Sequence, residues 1–147
     1  MPVVDITRFD HVSLHVRDME ASLRFYRDAL GMQVIFEEAI AGANLDAVMK
    51  RGGASGRMVG LRVPGGDAMI ELIQGVRKVN DDPGTLDSLI FSLRVADADA
   101  AHAKLTAAGI APQQPVQQFG DTVKLFFVVD PDGRRIEFLE ALAGAKH

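Results

Sequence analysis

The chain contains no cysteine, which excludes disulfides and thiolate metal sites and accords with residence in the cytoplasm. No run approaches the roughly 20 apolar residues that a membrane-spanning helix needs. The start, Met-Pro-Val-Val-Asp-Ile-Thr-Arg, has no basic segment followed by an apolar one, so no secretory signal is expected. Basic residues are not in excess: the formal net charge is −4 with the signs interspersed, which argues against a nucleic-acid surface. No nucleophile-elbow pattern is present. The segment RGGASGR at 51–57 lacks the Gly-Lys-Ser/Thr ending of a phosphate loop. What remains is a chain of 147 residues, 48% hydrophobic and 24% charged, enough for one globular domain or two half-sized modules sharing a core.

The positive signal is internal repetition, which bears directly on architecture. His11-Val12-Ser13-Leu14-His15-Val16-Arg17-Asp18 recurs as Ile90-Phe91-Ser92-Leu93-Arg94-Val95-Ala96-Asp97, and each copy leads into a helical stretch ending in glycine, Gly31 and Gly109. Ser, Leu, Val and Asp recur in register, whereas the second copy has Ile90 in place of His11. Residues 11–16 alternate as a half-buried strand does, with Val12, Leu14 and Val16 on one face and His11, Ser13 and His15 on the other. Asp18 and Asp97 suit helix N-caps, and the two glycines suit left-handed C-terminal caps.

Further strands are expected at 33–38, 58–63 and 68–73 in the first copy. In the second they fall at 89–95, near 112–118 as an edge strand broken by Pro112 and Pro115, at 123–129 and at 135–139. Asp130-Pro131-Asp132-Gly133 fits a type I turn between the last two. Residues 39–57 read as an insertion, with a short helix around Leu45–Met49, a flexible glycine-rich end and the role of a mobile lid. The expected class is α+β: two β-α-β-β-β modules with mixed sheets forming a cup-shaped cavity, helices on the outer faces. Within one domain spanning 1–147, module one covers 9–75, a polar linker 76–87 and module two 88–142. Alternation assigns His11, Ser13, His15, Met69 and Glu71 to the uncovered face of module one, and Ile90, Ser92, Arg94, Arg135, Glu137 and Leu139 to that of module two. A face so rich in ionisable groups makes a poor core and a good cavity lining.

The segments FDHVSLHVRDMEASLRFYRDALGM, MIELI, SLIFSLRVADADAAHAKLTAAG and VVDPDGRRIEFLE resemble the vicinal oxygen chelate superfamily over about residues 9–142. That superfamily includes glyoxalase I, methylmalonyl-CoA epimerase, extradiol dioxygenases, and fosfomycin- and bleomycin-resistance proteins. The resemblance implies a divalent metal held from the first and last strands of each module. Those positions are here His11, Glu71, Ile90 and Glu137. Ile90 has no lone pair, so three ligands remain. Ring-cleaving iron chemistry needs a second imidazole and loses ground. Glyoxalase- or epimerase-type chemistry survives better: the metal would stabilise an enediolate while Glu71 or Glu137 moves a proton.

Two function classes stay open. One is a lyase or isomerase acting on a small oxygenated substrate, with Glu71 and Glu137 catalytic and a metal at His11, Glu71 and Glu137. The other is a metal-free protein that sequesters a ligand, as bleomycin-resistance members do. His15, Ser13, Arg62, Ser92 and Arg94 are candidate substrate contacts, with Lys124 and Arg135 as weaker ones. His15 lies about 13 Å along the strand from His11, too far for joint ligation. His102, among alanines, is expected to face solvent, and His147 is uninformative. Sheet edges left by two such modules, and the habit of relatives, point to a homodimer. Neither a nucleic acid nor a membrane is an expected partner.

Overall fold

A computed structural model describes residues 2–50, 52–76 and 90–145. The chain divides into two compact units, Met1–Val79 and Asn80–His147. In unit one, β1 (His11–Val16) is followed by α1 (Met19–Leu23), which continues as a π-helical turn at Arg24–Ala29. Then come β2 (Gln33–Ala41), α2 (Ala43–Met49), β3 (Ser55–Arg62) and β4 (Met69–Gln74). Unit two contains β5 (Phe91–Arg94), α3 (Ala98–Ala107), β6 (Gln117–Phe119), β7 (Val123–Val129) and β8 (Arg135–Ala141). Each unit builds a four-stranded mixed sheet, in the orders β1-β4-β3-β2 and β5-β8-β7-β6. The first and last strands of each unit lie parallel and the other neighbours antiparallel. This is the α+β architecture that the repeat implies.

Helices α1 and α3 begin in the same way. Asp18 accepts from the backbone N–H groups of Glu20 and Ala21, and Asp97 from that of Ala100, which satisfies donors left open in a first helical turn. The N–H of the first helical residue is taken by a side chain from the sheet. Gln74 Oε1 accepts from Met19 N at 2.6 Å, and Glu140 Oε2 from Ala98 N at 2.8 Å. Gln74 and Glu140 each lie three positions beyond the candidate carboxylates Glu71 and Glu137, so the strand bearing each carboxylate is tied to its helix. Gly31 and Gly109 adopt φ values of +75° and +82°, closing the helices as expected.

One face of each sheet is covered. Leu14, Val16, Met19, Leu23, Tyr26, Val59, Leu61, Ile70 and Leu72 are buried in unit one, and each large side chain of this kind contributes roughly 1.5–3 kcal/mol by leaving water. In unit two, α3 is half alanine and buries only Ala98 and Leu105, so bulk comes from the sheet. Phe126 and Phe138 stack with ring centroids 5.3 Å apart, and His102 packs edge-on against Phe126 at 5.1 Å. His102 is therefore half-buried, with Nε2 bonded to the Gln114 carbonyl, and not a solvent-facing residue as expected.

The insertion is more regular than its sequence indicates. Ala39, Ile40 and Ala41 pair with Arg57, Gly56 and Ser55, so β2 and β3 run into it and α2 caps their tip. Asp46 Oδ1 holds Ala54 N, and Arg57 reaches both Glu20 and Glu37. Gly56 is a close-packed position rather than a flexible one: a Cβ there would sit 2.2 Å from the Gln74 carbonyl oxygen. Val76 is buried against it; the remaining positions expected as linker, 77–87, lie outside the described residues. Gly133 N donates to Asp130 O across the final turn.

Candidate functional site

In unit one, parallel pairing sets Ser13 opposite Glu71 and His11 opposite Met69. Partners in register share a face, so His11, Ser13, His15, Met69 and Glu71 lie on the side away from buried Leu14, Val16, Ile70 and Leu72. Ser13 Oγ donates to Glu71 Oε1 at 3.1 Å. Glu71 Oε1 is also 3.6 Å from His11 Nε2, and these side chains are 13% and 30% exposed. The separation exceeds a hydrogen bond.

On the other side of the imidazole, Asp10 Oδ1 lies 2.6 Å from Nδ1. Donation of the Nδ1 proton to Asp10 leaves a lone pair on Nε2, directed toward the Glu71 carboxylate. The imidazole beside Asp10 in turn holds that carboxyl below the usual carboxylate range. A lone pair and a carboxylate oxygen facing each other at 3.6 Å are donor atoms suited to a shared proton or cation. Imidazole and carboxylate are donor types that hold divalent ions, and a carboxylate behind the imidazole is the common support for a metal-binding histidine. The donors of unit one thus fit the metal implied by the resemblance, as two ligands. Asp10 was not singled out from the sequence; the only signal there was its adjacency to His11.

Unit two repeats the frame with different chemistry. Glu137 pairs with Ser92 as Glu71 does with Ser13, and Leu139 pairs with Arg94. Ile90, which precedes β5 and is 43% exposed, supplies no donor atom. Arg135 lies over the Phe127 ring at 4.1 Å and donates from Nε to Gln113 Oε1 at 2.9 Å, so it is already committed within its unit. Lys124 is not on this face: it reaches Asp99 of α3 on the helix side, and that carboxylate raises the lysine's pKa. Arg62, Ser92 and Arg94 are exposed and His15 is half-buried. Among the described residues, no three His, Asp or Glu side chains are grouped so as to hold a metal ion. His11 and Glu71 form a pair within unit one, and Glu137 belongs to unit two. His147 lies outside the described residues. No described helix is long and apolar enough to cross a membrane.

Comparison with known proteins yields one family match and many structural ones. The profile of the Glyoxalase/Bleomycin resistance protein/Dioxygenase superfamily matches residues 8–138. A glyoxalase family protein from Bacillus cereus superposes with a TM-score of 0.83 at 20% identity, covering 97% of this chain and 99% of that one. An antibiotic-binding protein from a Streptomyces species gives 0.67 at 22% identity, covering 94% and 98%. A genomically encoded fosfomycin resistance protein from Listeria monocytogenes gives 0.67 at 12% identity, covering 95% and 97%. At these identities the likeness is one of fold. No curated protein matches the chain.

Proposed function

We propose, from the premise that the chain belongs to the Glyoxalase/Bleomycin resistance protein/Dioxygenase superfamily, that it is a small-molecule lyase or isomerase transferring a proton on an oxygenated substrate. The observation that carries this reading is the Asp10–His11–Glu71–Ser13 chain of contacts. His11 and Glu71 would hold a divalent metal with Glu137 as third ligand, and the metal when bound would polarise substrate oxygen and acidify the neighbouring C–H. Asp10 fixes the imidazole tautomer. Ser13 donates to Glu71 Oε1, the oxygen that faces His11, and leaves Oε2 to accept a proton. Ser92, Arg62, Arg94 and His15 remain candidate substrate contacts. Cytoplasmic residence belongs to the same reading and accords with the absence of cysteine.

Metal binding would stabilise the fold by RT ln(1 + [M]/Kd), about 2.7 kcal/mol at a hundredfold excess over Kd. Thermal melts with Mn²⁺, Ni²⁺ and Zn²⁺ should show this stabilisation. Glu137→Gln and Glu71→Gln should remove most of it, and Ile90→His should enlarge it by adding a ligand. A second reading is favoured by Ile90: a metal-free protein that sequesters a ligand. If no divalent ion shifts the parent melt but Ile90→His creates a shift, the second reading replaces the first.

The exposed edge of the unit-one sheet adds an oligomeric expectation. β2 presents Val34 and Ile35, each 37% exposed, and a bare apolar edge invites pairing. We infer a homodimer that covers it.

A further inference from the structure

Gly60 of β3 pairs with Glu71 of β4 on one side and with Phe36 of β2 on the other. All three positions therefore present the same face of the sheet, the face of His11 and Ser13. A Cβ built on Gly60 would lie 2.2 Å from Phe36 Cε1 and 2.6 Å from Cζ. The phenyl ring thus occupies the place where the side chain of residue 60 would stand. Cross-strand Cβ positions are about 5 Å apart, so the ring lies beside Glu71. Phe36 is half-buried in a strand otherwise mostly exposed, and half-buried Met58, Met69 and Ile73 share its face.

Unit two reaches the same arrangement by another route. There Phe127 itself pairs with Glu137, and the strand needs no glycine. Both sheets set a phenyl ring next to the carboxylate, one from the adjacent strand and one from the strand beyond it. Filling a gap in a sheet explains a ring over a glycine once. It does not explain why the ring stands beside the carboxylate in both units.

We propose that Phe36, admitted by Gly60, is a specificity-determining wall that receives the flat, conjugated part of a ligand whose hydroxyl group is held by Glu71. This rests on the reading that the His11–Glu71 face binds a small oxygenated molecule, and it names the apolar half of that molecule. A planar ring meets the phenyl over its full area, whereas a saturated puckered ring of the same size meets it only at projecting hydrogens.

The test uses the full chain and two probes with one aliphatic hydroxyl each, naphthalen-2-ylmethanol and decahydronaphthalen-2-ylmethanol, titrated by isothermal calorimetry. The parent should bind the aromatic alcohol about fivefold more tightly. Phe36→Leu, which keeps the apolar volume, should bring the ratio near one. Gly60→Ala should do the same by displacing the ring, and circular dichroism should confirm that both variants are folded. Glu71→Gln should weaken both probes and leave the ratio intact. Equal binding of the two probes by the parent, or a ratio unchanged in folded Phe36→Leu, overturns the role of Phe36 while leaving the face as a binding site if Glu71→Gln still weakens both. Binding that ignores Glu71→Gln, or no binding at all, overturns the site and the inference together.

Discussion

Replacing Arg134 by Met should destabilise the protein by about 3 kcal/mol. Its guanidinium lies 3.2 Å from Asp130 and 3.4 Å from Asp132; the arginine side chain is 10% exposed, and the aspartates 0% and 2%. Removing one member of a buried ion pair typically costs 3–5 kcal/mol, because a charge stays buried without its partner. Asp130 retains two backbone donors, Asp132 N at 2.9 Å and Arg134 N at 2.8 Å, which places the loss at the low end of that range. Urea denaturation followed by far-UV circular dichroism measures it. The double variant Asp130→Asn/Arg134→Met should be more stable than the sum of the single losses predicts, since the two mutations remove the same interaction. A loss below about 1 kcal/mol in Arg134→Met with strictly additive behaviour would falsify the view that this cluster, and not only the Gly133–Asp130 turn bond, fixes the start of β8.

Other outcomes can be checked on the same footing. Ser22 is fully buried and its hydroxyl has no partner among the described residues, so Ser22→Ala should raise stability by about 1 kcal/mol in the same urea assay. A decrease would show that the hydroxyl is satisfied. Gly31→Ala places a Cβ at a φ of +75° and should cost about 1 kcal/mol; a neutral melt would mean that the helix end relaxes freely. Sedimentation at micromolar concentration should show a dimer, and Ile35→Lys should shift it to monomer; a monomeric parent removes the expectation.

Much of the fold is readable because each sheet has one dry face. Val12, Leu14 and Val16 alternate with His11, Ser13 and His15, and only one register places that pattern against a helix. The same logic fails at β2, whose residues are mostly exposed on both faces; Glu38-Ala39-Ile40-Ala41 carries no alternation, and backbone pairing alone extends the strand. It fails again for Lys124 and His102, whose surroundings are set by Asp99 and Phe126 across tertiary contacts. The pairing of His11 with Glu71 follows from strand order once the repeat is recognised. Asp10 does not, because its part depends on which ring nitrogen it meets. Phe36 is invisible for a different reason: its neighbour Glu71 is two strands away, through a glycine whose lack of a side chain is the signal.

The two units differ where chemistry, not folding, is at stake. Asp18 and Asp97 cap, Gln74 and Glu140 bond the first helical N–H, and Ser13 and Ser92 face the carboxylates. Each of these devices satisfies a backbone donor or fixes a register, so a module lacking one would pay in stability wherever it was used. His11 opens β1 and Ile90 precedes β5, and neither side chain caps a helix or bonds a helix N–H. Substitution at this position changes the chemistry offered: imidazole gives unit one a lone pair beside Glu71, while the sec-butyl side chain of Ile90 gives unit two no donor atom. Restoring a donor there by Ile90→His leaves every folding device in place. Any metal affinity it creates then measures the site itself and not a rearranged scaffold.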